Sequence, residues 1–219
     1  MEARNYDVVG VRNEGVINGY VLKGDLGEGQ LGEYILHFKE DELINESDSL
    51  LETLAALRVR KWVFIRFLEN PSGIVTRGDL QKTPVRMWLF GLTSLLEMHL
   101  LRRIRANYPG NEWTAYLTRN RLEKTEQTFG DRQRRDDAID LAECLQLSDK
   151  ATIFRKSRGL FSTLGFTTPR ALRSFMARVE DLRNRVAHSS DIPADMWPQV
   201  AAVVDGIEQC LVKLETAHT

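Results

Sequence analysis

"GIVTRGDLQKTPVRMWLFGLTSLLEMHLLRRI", residues 73–104, changes character near its middle. Its first eight residues repeat "GYVLKGDL" at 19–26 without a gap, at an offset of 54 residues. Gly, Val, Gly, Asp and Leu recur in place, and a basic residue, Lys23 or Arg77, follows the fourth position. From Pro84 onward the apolar residues recur instead with a helical period. Proline is tolerated in a first helical turn, so Pro84 marks a helix start. The stretch therefore divides the chain into a repeat-bearing region, 1–83, and a helical region, 84–219.

The chain has 219 residues, 42% hydrophobic and 28% charged, ordinary values for a globular protein with a sizeable core. No apolar run approaches the roughly 18 to 20 residues of a membrane span. The opening residues do not form a basic-then-apolar leader, and a cytoplasmic protein is expected. Cys144 and Cys210 make neither a disulfide framework nor a metal cluster and are expected as reduced thiols. The net charge of −1 hides an asymmetry: 10 basic and 14 acidic residues through position 84, then 20 and 17. Cations cluster at Arg102, Arg103 and Arg105, at Arg132, Arg134 and Arg135, and at Arg155, Lys156 and Arg158. Each cluster is read either as a solvated helix face or as a phosphate-facing patch.

The flanks of the repeat agree as well. "YDVVGVRNEGVIN" and "RKWVFIRFLENPS" each read as strand, polar turn and strand. "SDSLLETLAALRV" follows the first copy with leucines at helical spacing and Ser47 or Asp48 as cap. A period near 55 residues points to two copies of one α/β unit. The pair resembles a CBS module, a family that binds adenine nucleotides between two repeats. Gly73, Ile74, Val75, Thr76, Arg77, Gly78 and Asp79 match its Gly-x-x-Thr-x-x-Asp pattern. The resemblance implies that Thr76 meets phosphate, that Asp79 takes the ribose hydroxyls and that Gly73 lets backbone approach the ligand; AMP or ATP would be a regulatory ligand. In the first copy Gly19 and Asp25 match but Leu22 replaces the threonine. "MEARNYDVV" resembles the last turn of a repeat's first helix, so the first repeat is incomplete. The plainer reading of Thr76 and Asp79 is a capped strand-to-helix turn.

In the helix opened by Pro84, Val85, Leu89, Leu92 and Leu96 form one apolar face, and Phe90, Leu101 and Ile104 a second. Such a helix is expected to be buried on both sides, within a bundle or across a dimer. Glu97 falls on the second face, where an unpaired carboxylate costs several kcal/mol; it needs a cation or must be neutral. Further helices are expected over "EWTAYLTRNRLEKTEQTF", capped by Asn111 and closed by Gly130, over "RDDAIDLAECLQL", and over "SDKATIFRKSR", capped by Ser148 and ended by Gly159. Two more run from Thr168-Pro169 through "RNRVAH" and over "MWPQVAAVVDGIEQCLVKLE". The fold expected is thus α+β in two domains, an α/β repeat pair and an all-α bundle.

In the helix after Pro169, Leu172, Phe175, Met176, Val179, Leu182 and Val186 form one stripe, with Arg183 inside its edge. Glu180, Asn184 and His188 follow one another at four-residue spacing as a polar column. Imidazole exchanges protons near neutral pH, and a guanidinium can hold a phosphate and stabilise transition-state charge. His188 would be general base or acid, Arg183 the phosphate clamp, and Asn184 would orient the imidazole or bond the phosphate. "RNRVAH" resembles the signature of HEPN domains, which are all-helical, usually dimeric and include metal-independent endoribonucleases. The resemblance implies a homodimer with RNA as substrate, no cofactor for catalysis, and a 2′,3′-cyclic phosphate product; it also brings Glu97 toward the site. A non-catalytic dimeric module that binds RNA or a protein is the rival reading. Arg183 paired with Glu97 or Glu180, and a simple helix-end dipole effect, are the plainer ones. His37, His99 and His218 lack ligand spacing, and Trp88, Trp113 and Trp197 read as core anchors.

Overall fold

A computed structural model describes residues 6–135, 138–188 and 190–216. The fold is mixed α+β, with seven α-helices among the described residues, two small sheets and a helical C-terminal part. It divides into two compact units, Met1–Lys82 and Thr83–Thr219, one residue from the boundary expected.

In the first unit, β1 (Val8–Asn13) and β2 (Val16–Leu22) form an antiparallel hairpin. β3 (Leu43–Asn45), β4 (Trp62–Phe67) and β5 (Asn70–Thr76) form a second sheet, β4 central, parallel to β3 and antiparallel to β5. α1 (Leu50–Val59) connects the parallel pair. The sequence repeat is a structural repeat: β4 and β5 lie 54 residues after β1 and β2 at both ends. The likeness reaches irregular features. The register slips between Val11 and Arg12 in one hairpin and between Ile65 and Arg66 in the other. Each two-residue turn has positive φ at both positions, 49° and 88° at Glu14-Gly15, 45° and 66° at Leu68-Glu69. That is the turn whose twist matches paired strands.

The second copy alone carries the order strand, helix, strand, strand; the first is a hairpin only. Val8 and Val9, expected in a helical turn, open β1; Met1 to Asn5 of the same expectation lie outside the described residues. α1 is capped by Ser49, not Ser47 or Asp48, because Ser49 forms a capping box with Glu52. Tyr20, Phe38, Trp62 and Phe64 cluster in the core, with ring centroids 4.8 to 5.5 Å apart. The Tyr20 hydroxyl donates to Glu42 at 3.0 Å. Burial and that carboxylate push the phenol up to about 12.

The second unit contains α2 (Thr83–Asn107), α3 (Arg119–Gln133), α4 (Leu147–Lys156), α5 (Arg158–Thr163), α6 (Pro169–Ala187) and α7 (Trp197–Thr216). α6 packs against α2, α4 and α7. Its buried residues are the six of the expected stripe, Leu172, Phe175, Met176, Val179, Leu182 and Val186. Thr168 caps it through the Ala171 amide, with Pro169 at its first position. Trp113 and Trp197 are buried as expected, whereas Trp88 is half-buried. Cys144 and Cys210 are free and buried, and burial raises the Cys210 thiol to about 11.

Four helical expectations are corrected. Glu112–Tyr116 is a 3-10 turn, with Asn111 left-handed and accepting from the Trp113 indole instead of capping. α3 begins after Thr118 and runs through Gly130. Leu141–Cys144 is a 3-10 turn held by Asp140, where "RDDAIDLAECLQL" suggested a helix; Asp136 and Asp137 lie outside the described residues. α4 starts after Gln146 and ends at Lys156, where Ser157 opens α5 across Gly159. At the start of α4, Arg121 holds the buried Asp149 with two bonds, 2.8 and 2.6 Å.

The second apolar face of α2 is also only partly covered. Ile104 is buried, but Phe90 is 44% exposed, and Met87, Leu95 and Met98 join it on the open side.

Candidate active site

α6 ends at Ala187, and the His188 amide donates to the Asn184 carbonyl at 3.0 Å. The imidazole is exposed. Asn184, one turn earlier on the same face, is exposed too, and its amide oxygen accepts from Arg183 Nη1 at 3.1 Å. Arg183 is half-buried at the edge of the apolar stripe, as its helical phase requires. Its one side-chain partner among the described residues is Asn184; it pairs with neither Glu97 nor Glu180. A fixed cation, an amide and an imidazole thus gather at the C-terminal end of α6, the amide and imidazole exposed and the guanidinium half-buried.

The helix end is held from a distance. Arg86, in the first turn of α2, donates to the carbonyls of Arg185 and Ser190 at 2.9 Å each, and to Val186 at 3.5 Å. Arg185 and Val186 belong to the last turn of α6, whose carbonyls lack intrahelical partners, while Ser190 lies just beyond it. Sequence reading missed Arg86, since nothing local links positions about a hundred residues apart.

Glu97 is not brought to this cluster. It accepts from Lys150 of α4 at 2.8 Å, and that ammonium is 5% exposed. The cation that Glu97 needs is Lys150, which removes the expected approach to Arg183 and His188 within one protomer. Among the cation clusters, Arg105 is tied to Asp140 and Glu143 at 2.6 Å each. His218 lies outside the described residues, and His37 is exposed in a loop. Among the described residues no group of three His, Cys, Asp or Glu side chains gathers as a metal site, and no helix is long and apolar enough to cross a membrane.

In the first unit, the second copy's residues line a cavity of about 650 Å³ together with Tyr6, Lys61, Trp62 and Lys82. Thr76 and Asp79 face it, but they also hold each other. Thr76 donates from its amide and its hydroxyl to Asp79 Oδ2, both at 2.7 Å, while Lys82 lies 2.6 Å from Oδ1. Burial alone raises the Asp79 carboxyl; Lys82 and Thr76 outweigh it and hold it below the usual carboxylate range. The 3-10 turn Asp79–Gln81 that follows has Gly78 before it and no side-chain cap, so Asp79 closes back on Thr76 instead, and a ribose must displace Lys82 to reach Oδ1. At Gly73 a Cβ would meet Ile65 at 3.7 Å, an ordinary van der Waals contact, so no close packing there requires glycine. The first copy differs. A Cβ at Gly19 would stand 2.5 Å from Ile35 and 2.7 Å from the Leu36 carbonyl. Gly19 therefore serves chain packing beside the Tyr20–Leu36 bridge and not ligand approach. Asp25 sits exposed in a 3-10 turn and does not line the cavity.

No family model, no curated protein and no solved structure matches the chain.

Proposed function

We propose that the helical unit is a metal-independent endoribonuclease of the HEPN type. The observation that carries this reading is the Arg183–Asn184 contact beside an exposed His188 on one helix end. Arg183 neutralises and orients the scissile phosphate. His188 exchanges the proton of the ribose 2′-hydroxyl or of the leaving 5′-oxygen. Asn184 fixes the guanidinium in place, a positioning role. Attack of the 2′-oxygen on phosphorus forms one P–O bond and breaks the bond to the 5′-oxygen, which leaves as a hydroxyl; the other product is a 2′,3′-cyclic phosphate. His188→Ala should lower turnover of labelled single-stranded RNA in EDTA by ~100-fold or more. RNA binding without cleavage by wild type and variant alike would favour the rival binding module.

The dimer of this proposal pairs α2 with its mate. The exposed apolar positions of α2 are symmetric about a point between Leu92 and Thr93, Met87 with Met98 and Phe90 with Leu95, and the small residues Gly91 and Ser94 form a third pair. An antiparallel copy places like shapes together, as an isologous two-fold contact requires. Gly91 has nothing within 4 Å of where a Cβ would stand, so the backbones can approach closely. At 1.5 Å per residue, the two Arg86 residues then lie ~20 Å apart along the paired axes. Met98→Glu should shift the sedimenting species from dimer to monomer; an unchanged dimer would reject this seam.

The N-terminal cavity is proposed to take an adenine nucleotide, the base stacked near Trp62 and the phosphates met by Lys61 or Lys82. Its volume falls within the 300 to 1,000 Å³ range usual for such ligands.

A further inference from the structure

Between α4 and α6 lies a groove of about 350 Å³. Arg155 of α4 and Arg173 of α6 line it, with Ala151, Ala177, Met176 and Glu180 among the other lining residues. The alanines lie one on each helix, and their small side chains leave the space between the helices open. Met176 is 4% exposed and gives the groove an apolar floor.

The two arginines have no hydrogen-bond or ion-pair partner among the described residues, although elsewhere in this unit Arg105, Arg121 and Arg185 are paired. A concave site that holds two guanidinium groups against one carboxylate focuses positive potential. The planar guanidinium fork matches phosphate oxygens, and an apolar floor suits the face of a base.

The groove leads toward the candidate active site. At 100° per residue, Arg173, Ala177, Glu180, Asn184 and His188 fall within about 80° of one another on the α6 wheel. Arg173 and His188 are then ~22 Å apart along the helix. A single nucleic-acid strand can follow this strip, whereas the groove is too small to admit a duplex.

We infer that the α4–α6 groove binds the single-stranded RNA segment flanking the cut, with Arg155 and Arg173 holding its phosphates. The inference rests on the RNA-cleaving reading of α6 and names the path its substrate takes.

The test uses the full chain carrying His188→Ala, so that bound RNA persists. Binding of a labelled single-stranded 12-mer is followed by anisotropy across a salt series. Arg155→Ala and Arg173→Ala should each raise Kd 5- to 20-fold and lower the salt slope by about one. Arg119→Ala, which removes an exposed cation paired with Glu123 on α3, should stay within twofold. Equal Kd and slope in the Arg155/Arg173 double variant would overturn the inference. So would a free mononucleotide that competes as well as the strand. Loss of groove-dependent binding with wild-type cleavage intact removes the groove alone. Groove-dependent binding without any cleavage by the wild-type chain removes the nuclease reading and keeps the groove.

Discussion

Arg86 Nη2 lies 2.9 Å from the carbonyl oxygen of Arg185, joining the first turn of α2 to the last turn of α6. The same side chain reaches Ser190, so one guanidinium closes the helix end that carries Asn184 and His188. The Arg185 carbonyl also accepts from the Ser190 amide at 3.0 Å, and bonds donated by a charged guanidinium are stronger than neutral ones.

Arg86→Ala should therefore destabilise the chain by about 2 kcal/mol and raise amide exchange at 184–188 first. Arg86→Lys should recover less than half of the loss, because one ammonium cannot span three carbonyls. Thermal unfolding and hydrogen exchange check both.

The Glu97–Lys150 pair predicts a different pattern. Removing one partner leaves a largely buried charge without its mate. Lys150→Met should cost about 3 kcal/mol or more, and Lys150→Met with Glu97→Leu should recover most of it. A double-mutant cycle in urea measures the coupling. If Glu97 acts on RNA instead, Glu97→Gln lowers kcat and leaves stability unchanged.

The hairpin turn at Leu68-Glu69 holds two non-glycine residues at positive φ, where the matching turn in the first hairpin has Glu14-Gly15. Left-handed backbone costs side-chain-bearing residues roughly 1 kcal/mol. Leu68→Asn with Glu69→Gly should raise the unfolding free energy by about 1 to 2 kcal/mol and leave RNA turnover as it was.

Asp79 gives a pH signature. Its folded carboxyl is held below the ordinary carboxylate range by Lys82 and Thr76 against the opposing effect of burial. A depressed folded value contributes stability above the unfolded value, and that contribution is lost as pH falls through the folded one. Wild type should be more stable than Asp79→Asn at pH 7, and the gap should shrink below about pH 4. The nucleotide proposal adds a calorimetric arm with AMP and ATP at neutral pH. Asp79→Ala should abolish the heat of binding, and equal binding by both proteins would reject the site.

The first unit was legible where a repeat doubled the signal. Gly73–Leu80 echoing 19–26 located both hairpins, and even the bulge at Val11 recurs at Ile65. The α6 stripe was legible because six apolar residues kept one phase. Short turns were not, since Glu112–Tyr116 and Leu141–Cys144 carry apolar residues at helical spacing yet close as 3-10 turns through bonds within three residues. The site's supports were hidden too. Arg86 meets Arg185, and Arg155 meets Arg173 in one groove, only after the helices pack. Glu97 showed that it needed a cation, but only packing identified Lys150.

If Arg183 and His188 cut RNA without a metal, as proposed, gel analysis of end-labelled single-stranded RNA incubated with the full chain in EDTA reads the reaction. Wild type should yield fragments ending in 2′,3′-cyclic phosphate, and Arg183→Ala and His188→Ala should each reduce them by ~100-fold or more. Intact RNA with the wild type, or equal cleavage by wild type and both variants, would contradict the proposal.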